Sequence, residues 1–181
     1  MQEIPKELIV RASGGDIAAF EEIYRAASGF VYNVALRVAN NRDDADEITQ
    51  DVFMRVYKNL RSFGFRSSLK TWIYRIAVNT AINHAKTARR RVSAAVEYDP
   101  AVHDAEAPDE SARARDIEDA GSEVGRMLAR LDADQRACIV LRELEGLDYR
   151  SISDILKINI NTVRSRLKRA REKLIAAGRK G

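Results

Sequence analysis

The feature that most limits how this chain can fold is a break in composition. From Val92 to Ser122 the sequence reads VSAAVEYDPAVHDAEAPDESARARDIEDAGS. That segment holds two of the three prolines, many acids and few large apolar side chains. Such a stretch cannot bury enough surface to offset the entropy lost on ordering. It is expected to be a flexible acidic linker over 92–122, with a surface loop and a helix extension from Arg113 onward as the plainer alternative. The linker divides the 181 residues into an N-terminal part, 1–91, and a C-terminal part, 123–181. A chain of this length can hold two small domains.

Both flanks carry helical periodicity, and neither carries a strand-period stretch. DIAAFEEIYRAASGFVYNVALRVAN opens on Asp16, a candidate N-cap, with Ile17, Phe20, Ile23 and Tyr24 at helical spacing. Ser28-Gly29 is a candidate bend or division. On a helical wheel DDADEITQDVFMRVYKNL places Ile48, Val52, Phe53, Val56 and Leu60 inside. Glu47, Gln50, Asp51, Met54 and Lys58 point away. An exposed Met beside two acids and a Gln suits a protein-docking patch, and a charged solvated face explains the same wheel. SLKTWIYRIAVNTAINHAKTARRR puts Leu69, Ile73 and Ile76 on one stripe. Arg75, Asn79 and Lys86 form a polar seam, bordered by Trp72 and Asn83. Beyond the linker come EVGRMLARL, ADQRACIVLREL, YRSISDIL and NTVRSRLKRAREKLIAAG. Gly146 is a helix stop. Two short helices flanking KINI form a helix-turn-helix pattern. The expected fold is therefore all-α: two small helical domains joined by a flexible acidic linker, the C-terminal one a helix-turn-helix.

Hydrophobic residues make up 45% of the chain, enough for a buried core. The lone Cys138 excludes an intramolecular disulfide, and its apolar neighbours suit a packed core thiol. There is no Cys/His cluster for zinc, no signal-peptide pattern, and no run of about 18 apolar residues to span a membrane. The chain is expected to be soluble and cytoplasmic. G-x-x-x-x-G-K-[ST], G-x-S-x-G and H-E-x-x-H are all missing. His84 and His103 read as a helix surface residue and a linker residue. No catalytic residue, metal or cofactor is assigned, and no enzyme activity is expected. A metal-dependent nuclease built on scattered carboxylates is the rival in that class.

The net charge of +4 hides a sharp segregation. NINTVRSRLKRAREKL carries Arg164, Arg166, Lys168, Arg169, Arg171 and Lys173 against one acid, Glu172. At about 100° per residue, Val163, Leu167, Ala170 and Leu174 cluster on one side. Arg164, Ser165, Lys168, Arg169 and Glu172 lie opposite. Asn159 is a candidate N-cap, with Asn161 and Thr162 in the first turn, whose free N–H groups could hold a phosphate. A solvated surface helix would alternate Glu and Lys at i,i+4. Here only Glu172 offers pairing within the helix, so repulsion is expected to stay largely unrelieved until a polyanion neutralises it. Arg and Lys can reach guanine O6 and N7 in the major groove, and Ser can meet base or phosphate. The helix is thus expected to be the recognition helix for a DNA duplex. In the N-terminal part, Phe63, Phe65, Arg66, Ser67 and Ser68 precede Trp72. Aromatic, cationic and amide groups together can hold unstacked bases. Trp72 and the phenylalanines as core is the competing reading, and for Trp72 the better one. Asn79 fits a core less well, since a buried amide needs partners. Arg89, Arg90 and Arg91 form a terminal cluster suited to backbone phosphate.

These pieces resemble the extracytoplasmic-function (ECF) sigma factors, the compact two-domain class of bacterial transcription initiation factor. The N-terminal resemblance covers roughly Phe20 to Arg91 and rests on DADEITQDVF and TWIYRIAVN. The C-terminal one covers roughly Val124 to Ala176 and rests on LDADQRACIVLRELEGLDYRSISDILKININTVRSRLKRAREKL. The resemblance implies that the first domain docks on the clamp helices of the largest subunit of core RNA polymerase and opens the −10 element. Glu47, Gln50, Asp51 and Met54 would bind polymerase. Arg66, Ser67, Ser68, Leu69, Asn79 and Asn83 would take the −10 strand, and Lys86, Arg89, Arg90 and Arg91 upstream phosphates. The second domain would read the −35 element through Asn161, Thr162, Arg164, Ser165, Lys168 and Arg169, and pack on the polymerase flap. An anti-sigma factor is a further implied partner, holding the chain near the membrane where that partner is itself membrane-bound. No cofactor is implied.

The sequence departs from the family pattern at a few positions. Ser153, in SIS, stands where Ala is usual at a close helix contact, and Asn161 where Gly is common. Lys157 holds the turn position usually given to Gly. Asp46-Glu47 replaces the common Glu-Asp order. The runner-up function is a stand-alone, dimeric helix-turn-helix regulator that binds duplex sites without polymerase.

Overall fold

The computed structural model describes residues 4–97 and 123–178. Most of the expected linker, His103 and the alternative helix from Arg113 lie outside the described residues.

In the N-terminal domain, α1 (Lys6–Ser13) lies on α2 (Ile17–Ala39), and α2, α3 (Arg42–Asn59) and α4 (Leu69–Glu97) pack on one another. The boundaries follow from capping chemistry. The Asp16 carboxylate accepts the Ala19 N–H at 3.0 Å and caps α2. That bond, with Arg11 beside it, holds the carboxyl below the usual range. At the other end Asn40 takes the left-handed conformation at φ 62°, and its N–H returns to Leu36 O at 2.7 Å. Asn41 then accepts the Asp44 N–H at 2.9 Å and opens α3. Two consecutive asparagines therefore reverse the chain. Ser28-Gly29 does not divide α2, which is a single helix. Nothing approaches the position a Gly29 side chain would take, so this glycine sits on an open face.

The core is the stripe set by periodicity. Ile23, Val31, Val34, Val38, Ile48, Val52, Val56, Leu60 and Ile73 are fully buried, each worth roughly 1.5–3 kcal/mol over exposure. The aromatic loop before α4 is split: Phe63 is buried, Trp72 packs against it at 5.2 Å between centroids, and Phe65 stays exposed. Helix α4 runs to Glu97, into the segment expected as linker.

The C-terminal domain comprises α5 (Glu123–Ala129), α6 (Ala133–Ile139), a π-helical turn (Val140–Leu144), α7 (Tyr149–Leu156) and α8 (Ile160–Gly178). Asp132 caps α6 through the Gln135 N–H, and Asp148 caps α7 through the Ser151 N–H, both at 2.8 Å. Gly146, at φ 68°, ends the π turn. Cys138 is buried among apolar groups, which pushes its thiol up to about 11. Between α7 and α8, Lys157 sits at φ 53°, ψ 44°. The Ser153 hydroxyl donates to Ile158 O across the same turn, while the Ile158 N–H returns to Ser153 O at 3.2 Å. The hydroxyl at this usual alanine position thus helps close a turn that lacks glycine.

The two domains pack together, α2 and α4 against α6 and α7. No helix among the described residues is long and apolar enough to cross a membrane.

Candidate nucleic-acid interface

Helix α8 buries Val163, Leu167 and Ala170 and half-buries Leu174, as its wheel predicts. The opposite face exposes Asn161, Arg164, Ser165, Lys168 and Arg169, with Thr162 half-buried beside them. Arg164 donates to the Asn161 side chain at 3.1 Å, which props the guanidinium over the first turn. Lys168 reaches Glu172 at only 3.9 Å, with both side chains largely exposed.

Two expectations for this helix need correction. Its charge repulsion is not left to a partner: three of its six cations are tied to acids of their own domain outside the helix. Arg166 meets Asp134 at 3.2 Å, Arg171 meets Glu143 at 2.6 Å, and Lys173 lies 3.9 Å from Asp132 while donating to Gln135 at 2.9 Å. The Glu143 bond raises the Arg171 guanidinium above its ordinary value, with Tyr149 assisting. These acids lie on α6, its cap and the π turn, so a wheel of α8 alone cannot find them. Nor are all the first-turn N–H groups free for phosphate. Asn159 accepts from Asn161 through its side chain at 2.8 Å, and from Thr162 and Val163 through its carbonyl at 2.9 and 3.1 Å.

On α3, Glu47, Gln50 and Met54 are exposed and Asp51 half-buried, all on one face. Glu47 has a partner that periodicity did not suggest. The His84 Nε2 lies 3.1 Å from its Oε2, and His84 Nδ1 3.7 Å from Asp44. His84 is therefore no simple surface residue; it links α4 to two acids of α3. Among the described residues, no group of three or more His, Cys, Asp or Glu side chains is placed to hold a metal ion.

The residues expected to take the −10 strand do not all share one open surface. Arg66 and Ser67 are exposed in the loop. The Ser68 hydroxyl accepts the Thr71 N–H at 3.1 Å and caps α4. Leu69 is a correction: it is buried in the core, where the stripe on α4 also places it, and its side chain cannot meet a base. Asn83 is exposed. Asn79 is half-buried, and its amide donates both to Arg75 O at 2.8 Å and to Ile155 O of the C-terminal domain at 3.0 Å. Lys86 is drawn to Asp134 at 2.8 Å. Arg90 and Arg91 are exposed; the Arg89 side chain lies outside what is described.

Comparison with known proteins follows the same division. The Sigma-70 region 2 family matches residues 23–91, and the Sigma-70, region 4 family matches residues 122–174. The RNA polymerase sigma-H factor of Pseudomonas aeruginosa is 33% identical over 180 residues, covering 94% of this chain and 92% of that protein. The ECF RNA polymerase sigma-E factor of Haemophilus influenzae is 36% identical over 174 residues, covering 91% and 90%. The fold is shared with CnrH, solved in complex with the cytosolic domain of CnrY: TM-score 0.61, 24% identity, 94% of each chain. It is also shared with the sigma factor RpoE of Bartonella quintana, solved with the anti-sigma factor NepR: TM-score 0.61, 23% identity, 86% of this chain and 93% of that one. Two matched sigma regions in order, and relatives alike over nearly their whole length, place this chain in the ECF subfamily of RNA polymerase sigma factors.

Proposed function

We propose that this chain binds core RNA polymerase and directs promoter-specific initiation, with α8 reading the −35 duplex and the α4 seam with its preceding loop holding an opened −10 strand. One observation carries the reading at residue level. Arg164, Lys168 and Arg169 stand exposed with Ser165 on one face, while Val163, Leu167 and Ala170 anchor the other in a helix-turn-helix. Glu47, Gln50, Asp51 and Met54 on α3 supply the polymerase-docking face. The acids of that face suit a basic partner surface, and Met54, 55% exposed, gives it an apolar anchor.

Strand opening in this scheme is driven by binding energy, and the chain itself makes and breaks no bond. Asn83, Arg66 and Ser67 are free to meet a splayed strand, and Arg90 and Arg91 can follow its backbone upstream. The chain works in the cytoplasm, and an anti-sigma partner belongs to the same reading. Adding the purified protein to core enzyme on a genomic DNA library is expected to give transcripts from a defined set of promoters. Failure to raise any transcript above core enzyme alone refutes the proposal.

A further inference from the structure

The face of α3 assigned to polymerase docking is not shaped by α3 alone. Glu47, Gln50, Asp51 and Met54 follow one another at helical spacing, so one side of the helix carries all four. The Glu47 side chain is 69% exposed, and a long arm at such a position ordinarily samples many rotamers. Here a group from another helix restrains it. His84 of α4 brings Nε2 to 3.1 Å from Glu47 Oε2. A carboxylate only accepts, so a ring making this bond carries hydrogen on Nε2, whether the ring is neutral or charged. The ring itself has little room to turn. Its side chain is 21% exposed, and Nδ1 is buried without a hydrogen-bond partner, 3.7 Å from Asp44.

The bond is not what holds the two helices together. Helices α3 and α4 pack on one another, and both give fully buried apolar residues to the core: Ile48 and Val52 from α3, Ile73 and Ala77 from α4. One contact to a mostly exposed carboxylate adds little to that packing. What it does supply is a fixed direction for the Glu47 carboxylate.

We infer that His84 is a positioning residue for polymerase docking, holding the Glu47 carboxylate in place before the partner arrives. The inference rests on the assignment of the α3 face to core polymerase. A side chain that is already held loses less freedom on binding, and the difference appears as affinity. His84 engages Oε2 alone, which leaves Oε1 to accept from a lysine or arginine of the partner surface. His84 thus acts through Glu47 and need not touch polymerase itself.

The test is a double-mutant cycle on the full chain, read as affinity for purified core polymerase in a fluorescence titration. H84F keeps a ring and removes the donor, H84Q restores an N–H donor, and E47A removes the carboxylate. H84F is expected to weaken binding several-fold at an unchanged thermal midpoint, and H84Q to recover most of that loss. In the E47A background H84F is expected to cause no further loss. Equal losses from H84F with and without the Glu47 carboxylate overturn the inference, because His84 would then act on the partner or the fold directly. H84F that binds like wild type, while E47A binds more weakly, also overturns it and leaves the docking face standing. E47A that binds like wild type removes Glu47 from the docking face, and the positioning role falls with it. A measurement without any substitution covers loss of folding in H84F. Nitrogen–proton correlation spectra of the histidine rings in the free wild-type chain are expected to show His84 protonated at Nε2. A His84 ring protonated at Nδ1 alone overturns the inference.

Discussion

Replacing Lys157 with glycine should stabilise the C-terminal domain. Lys157 links α7 to α8 at φ 53°, ψ 44°, with its side chain exposed. A residue with a Cβ pays roughly 1–2 kcal/mol in the left-handed region, because Cβ crowds the following carbonyl. Glycine escapes that cost but loses more backbone freedom on folding, about 0.5–1 kcal/mol. The difference leaves K157G more stable by roughly 0.5–1 kcal/mol. K157A is the control: it removes the same ammonium and stem but keeps the Cβ, so it is expected to stay close to wild type. Trp72 is the only tryptophan and reports the other domain. The assay is therefore amide hydrogen exchange across α7 and α8 in a denaturant series. Protection in K157G should exceed that in K157A. Equal protection in the two variants would refute the strain argument and assign the turn's stability to the Ser153–Ile158 bonds alone.

Arg164→Ala and Lys168→Ala should weaken duplex −35 binding, by roughly 1–3 kcal/mol where a base contact is lost. Where a phosphate contact is lost, the salt slope should fall by about one unit. Arg166→Ala, which breaks the Asp134 pair, should leave that slope unchanged and be read in thermal unfolding instead. Gln50→Ala with Asp51→Ala should keep helical content and lower affinity for core polymerase at least several-fold in a pull-down titration; unaltered affinity removes both from the docking face. Asp148 caps α7, and its bond from the Ser151 N–H holds its carboxyl below the usual range. A depressed carboxyl contributes stability above its unfolded pKa and loses it as pH falls through the folded one. Asp148→Asn should thus lower stability near neutrality and flatten the acid limb of a pH–unfolding profile.

Local pattern made much of the fold legible. Ile48, Val52, Phe53, Val56 and Leu60 are all buried, because a helix that must bury one face repeats its apolar residues at the helical period. Asp16, the cap named from the sequence, works through a neighbour three residues away, and capping is equally local; Asn41 and Asp148 cap just as locally, though neither was named from the sequence. What periodicity could not supply was long-range. Asn79 bonds to a carbonyl 76 positions along the chain, and Arg171 to an acid 28 positions back. Neither separation leaves a trace in a helical wheel. His84 was misread for the same reason, since its two acids lie on another helix. Leu69 carried two assignments at once, core stripe and base contact, and burial decides for the stripe. Glycine's absence at position 157 was visible, but the hydroxyl of Ser153 as its compensation needed the folded turn.

The pairing of Arg166, Arg171 and Lys173 with acids of their own domain changes how this protein would search a genome. Six outward cations would cling to any stretch of duplex and leave it slowly. With three already paired to acids, a wrong sequence offers a shallow hold and brief residence, so the helix can sample many sites before side-chain fit to a right one slows its departure.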